Sequence, residues 1–145
     1  MIRIALNREP VTVPLKGPFA GCSVTLRRLT TNVFAEAKDA AVALLRDKSR
    51  LVELLEQYDL RPEGRKIRDL TADPEFMAGI GEWLGAVECG VRAITGLDGF
   101  RDETGKPIQP SREALEVLFL NEPFLRQVLP QIDAAAQLLV LEGNG

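Results

Sequence analysis

Histidine is absent from this chain. Its absence removes the usual general base near neutral pH and the commonest metal ligand. Serine is almost as scarce: Ser23, Ser49 and Ser111 are the only three, and none sits in the turn of a nucleophile elbow. Cys22 and Cys89 are the only cysteines, far apart and in no metal-ligand spacing. They read as two buried thiols of a cytoplasmic protein rather than as a disulfide. No apolar run reaches the roughly 18 residues that a membrane-spanning helix needs. The opening MIRIALNREP is too polar, and too soon interrupted, to suit a signal peptide.

What is present fits one domain over residues 1–145, with 46% hydrophobic and 27% charged residues. The net charge of −3 is unevenly spread. Residues 1–30 hold five basic side chains against Glu9 alone, whereas residues 31–97 hold nine against twelve acids and residues 98–145 four against eight. An acidic body offers no footprint for a phosphate backbone, so nucleic acid is not expected as a partner, and neither is a membrane. Arg61, Arg65, Lys66 and Arg68 cluster among acidic neighbours and read as a solvated loop.

Residues 1–30 alternate in the β manner through Ile2, Ile4 and Leu6, then Val11, Val13 and Leu15, then Cys22, Val24 and Leu26. A small N-terminal antiparallel β-sheet is predicted, with Pro14 at a strand edge or end. From Thr31 or Asn32 the period becomes helical, through Phe34, Ala37, Ala41, Leu44, Leu45, Leu51, Val52 and Leu55, with an interruption at Lys48. A polar loop follows, with one helical turn around Ile67 and Leu70. Asp73-Pro74-Glu75 then supplies a cap, a first-turn proline and a favourable carboxylate for a helix running to about Thr95, ended by Gly96. Ser111 and Asn121 start two further helices, the second kinked or divided at Pro130 and patterned as far as Leu139, with LEGNG as a C-terminal stop followed by flexible residues. The expected fold is therefore α+β: the small sheet, then a mainly helical bundle of four or five helices, with a turn region at 96–110.

The stretch GFRDETGKP invites comparison with a phosphate loop, but five residues separate Gly99 from Gly105 and Pro107 stands where a hydroxyl belongs. Asp102 to Gly105 fits a type I turn instead. Asp98, Asp102 and Glu103 lack the alternation of a calcium loop, and a small-molecule enzyme built on Asp98, Asp102 and Lys106 has little else to work with. No catalytic residue, cofactor or metal site is expected, and the chain reads as a protein that binds another protein.

Candidates for the contact lie on the helix Ile80–Ile94 and the corner Gly96–Phe100. Gly79, Gly81, Gly85 and Gly90 each cost about 1 kcal/mol against alanine in an exposed helix. Gly81, Gly85 and Cys89 are spaced four apart, which suggests close approach by another backbone, within the domain or from a partner. Trp83, Val91, Ile94 and Leu97 complete the candidate surface, although Trp83 and Tyr58 also suit a core border. Phe100, in a short corner, serves either as an exposed anchor or as part of the core.

The order of parts carries a likeness. VTLRRLTTNVFAEAKDAA leads into a first long helix, a Gly-rich helix with Trp83 leads into ITGLDGFRDETGKPIQPSREALEVLF, and the chain closes on LLVLEGNG. From about Val24 to Gly145 this resembles the tail assembly chaperones of long-tailed bacteriophages, related prophages and gene transfer agents. The resemblance implies a non-catalytic factor of the bacterial cytoplasm that keeps the tape measure protein soluble until tube subunits polymerise, and that is absent from the finished virion. It also implies a longer, frameshifted form contacting the tail tube protein, and a homo-oligomer is a further expectation. The alternative is a structural tail-completion or connector protein.

Overall fold

The computed structural model describes residues 2–136 and 139–143. Alternation at the N-terminus yields three strands, β1 (Ile2–Leu6), β2 (Val11–Pro14) and β3 (Ser23–Leu26). Helices follow as α1 (Thr31–Arg46), α2 (Lys48–Gln57), the short α3 (Ile67–Thr71) and α4 (Pro74–Ala93). Strand β4 (Ile94–Asp98) comes next, then α5 (Arg112–Phe119), α6 (Glu122–Ala134) and β5 (Leu139–Gly143). The fold is α+β: a three-stranded antiparallel sheet in the order β2-β3-β4 packed with six helices, among the described residues.

Local chemistry starts and stops the helices largely where the sequence indicates. The Asp73 carboxylate accepts from the amides of Glu75 and Phe76 at 3.0 and 3.3 Å, and these bonds, with Arg65 beside it, hold its pKa below the usual value. Ser111 Oγ accepts from Ala114 N at 3.1 Å, and Asn121 Oδ1 from Phe124 N at 3.1 Å. The break in the long first stripe falls at Asp47, whose side chain caps α2 through Arg50 N. Thr30, not Thr31 or Asn32, is the N-cap of α1, and its hydroxyl bonds the Asn32 side chain instead of a backbone amide. Pro130 lies inside α6 without dividing it.

Two expectations about the strands are corrected. The helix through Val91 ends at Ala93, and Ile94–Asp98 leaves it as a strand, with Val24 opposite Leu97 and Ser23 opposite Asp98. The three-four pattern does not extend to Leu139 either, because Leu139–Gly143 is a strand paired antiparallel with β1, Leu6 facing Leu139. Both strands satisfy backbone donors and acceptors of segments about 70 and 130 residues away. The flexible end anticipated for 144–145 lies outside the described residues.

Helix α4 is the axis of the molecule, touching α1, α3, α5 and α6. Its buried side chains include Ile80, Trp83, Leu84, Val87 and Ala93, which join one hydrophobic core with Val24 and Leu26 of the sheet and Leu115, Phe119 and Phe124 of the last helices. The backbone approach expected at Gly81 and Gly85 is not found, and the tight contact on α4 is at Gly90, with a side chain. A Cβ at Gly90 would lie 2.5 Å from Phe119 Cε2, whereas one at Gly85 would meet nothing within 4 Å. Gly90→Ala should therefore destabilise by about 1–3 kcal/mol through overpacking, and Gly85→Ala should be neutral or gain up to about 1 kcal/mol of helix propensity. Thermal melts of the two variants test this, and an equal response from both would contradict it.

Candidate functional site

Two depressions flank α4, and they differ in chemistry. The first is a cleft of about 440 Å³ between α1, α2, α4 and α5, with Glu88 and Glu116 in its wall. Both glutamates are buried, at 3% and 5% exposure. Glu88 is held by two guanidiniums: Arg112 donates through Nη1 at 2.5 Å and Nη2 at 3.3 Å, and Arg92, one turn along α4, through Nη1 at 2.7 Å. Burial alone would push the Glu88 carboxyl up, but the paired arginines outweigh it and hold the pKa below the usual value. Glu116 accepts from Tyr58 Oη at 2.8 Å, and its main-chain oxygen accepts from Trp83 Nε1 at 3.0 Å. The Tyr58 and Trp83 rings meet edge to face at 5.8 Å.

This cluster brings together α2, α4 and α5, with two guanidiniums on Glu88 and a neutral phenol on Glu116. Burial and the Glu116 bond push the Tyr58 phenol up to about 12. The chemistry of the cluster is that of a fastening.

The second depression is an apolar groove of about 340 Å³ between α1, α4 and α6. Phe34, Ala41 and Leu45 of α1 face Gly81 and Gly85 of α4, with Leu129 of α6 at one side. A Cβ at Gly81 would touch only Leu45 Cδ1, at 3.4 Å, and the space above Gly85 is open. The two glycines therefore lower the floor of the groove rather than admit a helix of the same chain. Lys38, Glu82 and Asp133 stand among its lining, and Cys89 lies at its edge, half-buried. Burial and the nearby Asp133 push the Cys89 thiol pKa up.

Of the candidate contact residues, Gly81, Gly85 and Cys89 line this groove. Trp83 and Ile94 are buried at 5%, on the core side. Val91 and Leu97 are half-buried and packed against the core, Leu97 within β4. Phe100 is not an exposed anchor: it is 7% exposed, with the Phe19 and Phe124 rings 5.9 and 6.0 Å away. The corner turns inward because Gly99, at φ +87°, packs directly on Cys22, where a Cβ would lie 3.2 Å from its Cα. What the sequence reading missed is the α1 and α6 walls of the groove, Phe34, Leu45 and Leu129. Their helical spacing is that of any core stripe.

The Asp102 loop is a turn. Gly105 N donates to Asp102 O at 2.9 Å, and Asp102 Oδ1 accepts from Thr104 N, Thr104 Oγ1 and Lys106 N at 2.9, 2.6 and 3.0 Å. The Thr104 and Lys106 bonds hold this carboxyl below its usual pKa and occupy it in the turn. Among the described residues no group of three or more His, Cys, Asp or Glu side chains is gathered as for a metal ion, and no helix is long and apolar enough to cross a membrane. The chain matches no known family model, no curated protein and no solved structure.

Tyr58 is the only tyrosine, so its ionisation can be followed directly. Phenolate absorbance should develop around pH 12 in the folded protein, against roughly 10 for a free phenol. Because the folded value is the higher one, the stability contributed by the neutral phenol is complete below about pH 10 and is lost as the pH rises towards 12. A midpoint near 10 in protein that is still folded would contradict the Tyr58–Glu116 bond.

Proposed function

We propose that this protein is a phage tail assembly chaperone, a non-catalytic protein that binds the tape measure protein and keeps it soluble in the bacterial cytoplasm during tail assembly. The observation that supports this reading is the groove along α1 and α4, apolar across its floor and deepened by Gly81 and Gly85. An amphipathic client helix buries its apolar face in such a groove, with charged residues at the rim fixing its orientation. A fully buried leucine-sized anchor contributes about 1.5–3 kcal/mol. A shallow groove that takes a few of them gives reversible capture, as a factor that must release its client requires. The resemblance in the order of parts supplies the identity of the client, and with it a longer, frameshifted form that contacts the tail tube protein.

Co-expression with the tape measure protein of the adjacent gene tests the reading. The tape measure protein should be insoluble alone, because its exposed apolar helices self-associate, and soluble and co-purifying with this protein. Gly85→Phe starts from a position where a Cβ meets nothing within 4 Å and lays its ring along the apolar walls of the groove, so it should retain the melting temperature and lose the co-purification. A tape measure protein that stays insoluble beside the wild-type protein, with this protein recovered in purified particles, would replace the chaperone by a structural tail component.

A further inference from the structure

The fold gathers three of the five basic residues of the N-terminal segment at one point. Arg8, just after β1, and Arg27 and Arg28, just after β3, line a cavity of about 300 Å³ with Leu29, Thr30 and Val33 at the start of α1. Two of the guanidiniums, those of Arg27 and Arg28, are oriented by main-chain oxygens. Arg27 Nη2 donates to Arg92 O at 2.9 Å, and Arg28 donates through Nε to Glu9 O at 2.8 Å and through Nη1 to Ala135 O at 3.4 Å. Carbonyl bonds fix direction but leave the charge in place. Among the described residues none of the three forms an ion pair, whereas Arg50, Arg65, Arg92, Arg112 and Arg126 each have a carboxylate within 3.2 Å. Glu9, the only acid in residues 1–30, contributes its backbone oxygen and not its carboxylate to this cluster.

We propose that this arginine pocket docks an acidic peptide segment of a partner protein, with neighbouring Asp or Glu carboxylates taken by the forks of Arg8 and Arg27. Guanidinium forks match carboxylates in a bidentate manner. Leu29, buried, and Val33, half-buried, give the floor an apolar surface for the methylene stems. The charge of the rest of the chain selects a peptide over an extended polyanion. Residues 31–145 carry thirteen basic side chains against twenty acids, which repels a nucleic-acid strand or an anionic membrane but not a short acidic stretch that meets only the pocket. This site is independent of what occupies the α1–α4 groove.

Fluorescence anisotropy with a labelled decapeptide of alternating Asp and Glu, beside a labelled single-stranded oligonucleotide of similar length, tests the proposal. At low salt the wild-type protein should bind the peptide and bind the oligonucleotide more weakly. The Arg8→Gln/Arg27→Gln double variant should lose roughly tenfold in affinity, the size expected for two partly screened charge pairs. Lys16→Gln, outside the pocket, should change binding less than about twofold on the same scale. Arg27 also holds a backbone bond, so Arg8→Gln, with no hydrogen bond among the described residues, carries the test alone if the double variant melts early. Absence of peptide binding, an equal loss in Lys16→Gln, no loss in Arg8→Gln, or tighter binding of the oligonucleotide would each overturn the proposal.

Discussion

The contact of the Phe119 ring with the bare backbone at Gly90 sets where the last two helices lie. A side chain of any size at Gly90 would force the Phe119 ring, or the helix that carries it, to shift, because its first carbon would already overlap the ring edge. The same pair of helices is joined by the Arg112–Glu88 ion pair and by the bond from Trp83 to the Glu116 carbonyl. Phe119 also starts a run of aromatic contacts, through Phe124 at 5.1 Å and on to Phe100 and Phe19, which joins the helical layer to the loops beside the sheet. The helix packing, the polar fastening and the aromatic seam therefore meet along the contact of α4 with α5.

Two buried glutamates beside this contact carry an evident cost. Removing a carboxylate from water is unfavourable by several kcal/mol even after relaxation. Here the loss is offset by two guanidiniums on Glu88 and by the phenol on Glu116. Such arrangements contribute little net stability compared with apolar packing, yet they tolerate few geometries. The consequence is a fixed register between α4 and α5, since Arg112 must face Glu88 while Glu116, one turn later, faces Tyr58. Of this pair, α4 also forms the floor of the apolar groove, at Gly81 and Gly85.

The legible parts of the fold were those governed by nearby residues. Asp73, Ser111 and Asn121 act as caps on amides two or three positions away, and Asp102 closes a turn on Thr104, Gly105 and Lys106. Strands β4 and β5 were not legible in the same way. Ile94 and Leu139 continue a helical spacing, and only the unpaired edges of β3 and β1 draw those segments into strands. The glycines of α4 show the same limit: their number signalled a special helix, but Gly90 meets Phe119 while Gly85 opens a groove, and the difference depends on helices more than 25 residues away. The turn chemistry around Phe100 suits surface and core alike, and the Phe19 and Phe124 rings beside it assign it to the core.

The described surface includes an apolar depression between α1, α4 and α6 and a depression lined by Arg8, Arg27 and Arg28, on a mostly acidic body, and the proposed function depends on the first being covered by the client. Cys89 reports on this directly, since it lies at the groove edge while Cys22 lies elsewhere, beside Gly99. The deciding measurement is the alkylation rate at each cysteine, resolved by peptide mass at mildly alkaline pH, for the protein alone and in its complex with the tape measure protein. Cys89 should be slowed at least about tenfold in the complex, as expected of a site opened only by release of a bound partner, with Cys22 unchanged. Equal Cys89 rates with the complex intact would contradict the groove as the client site.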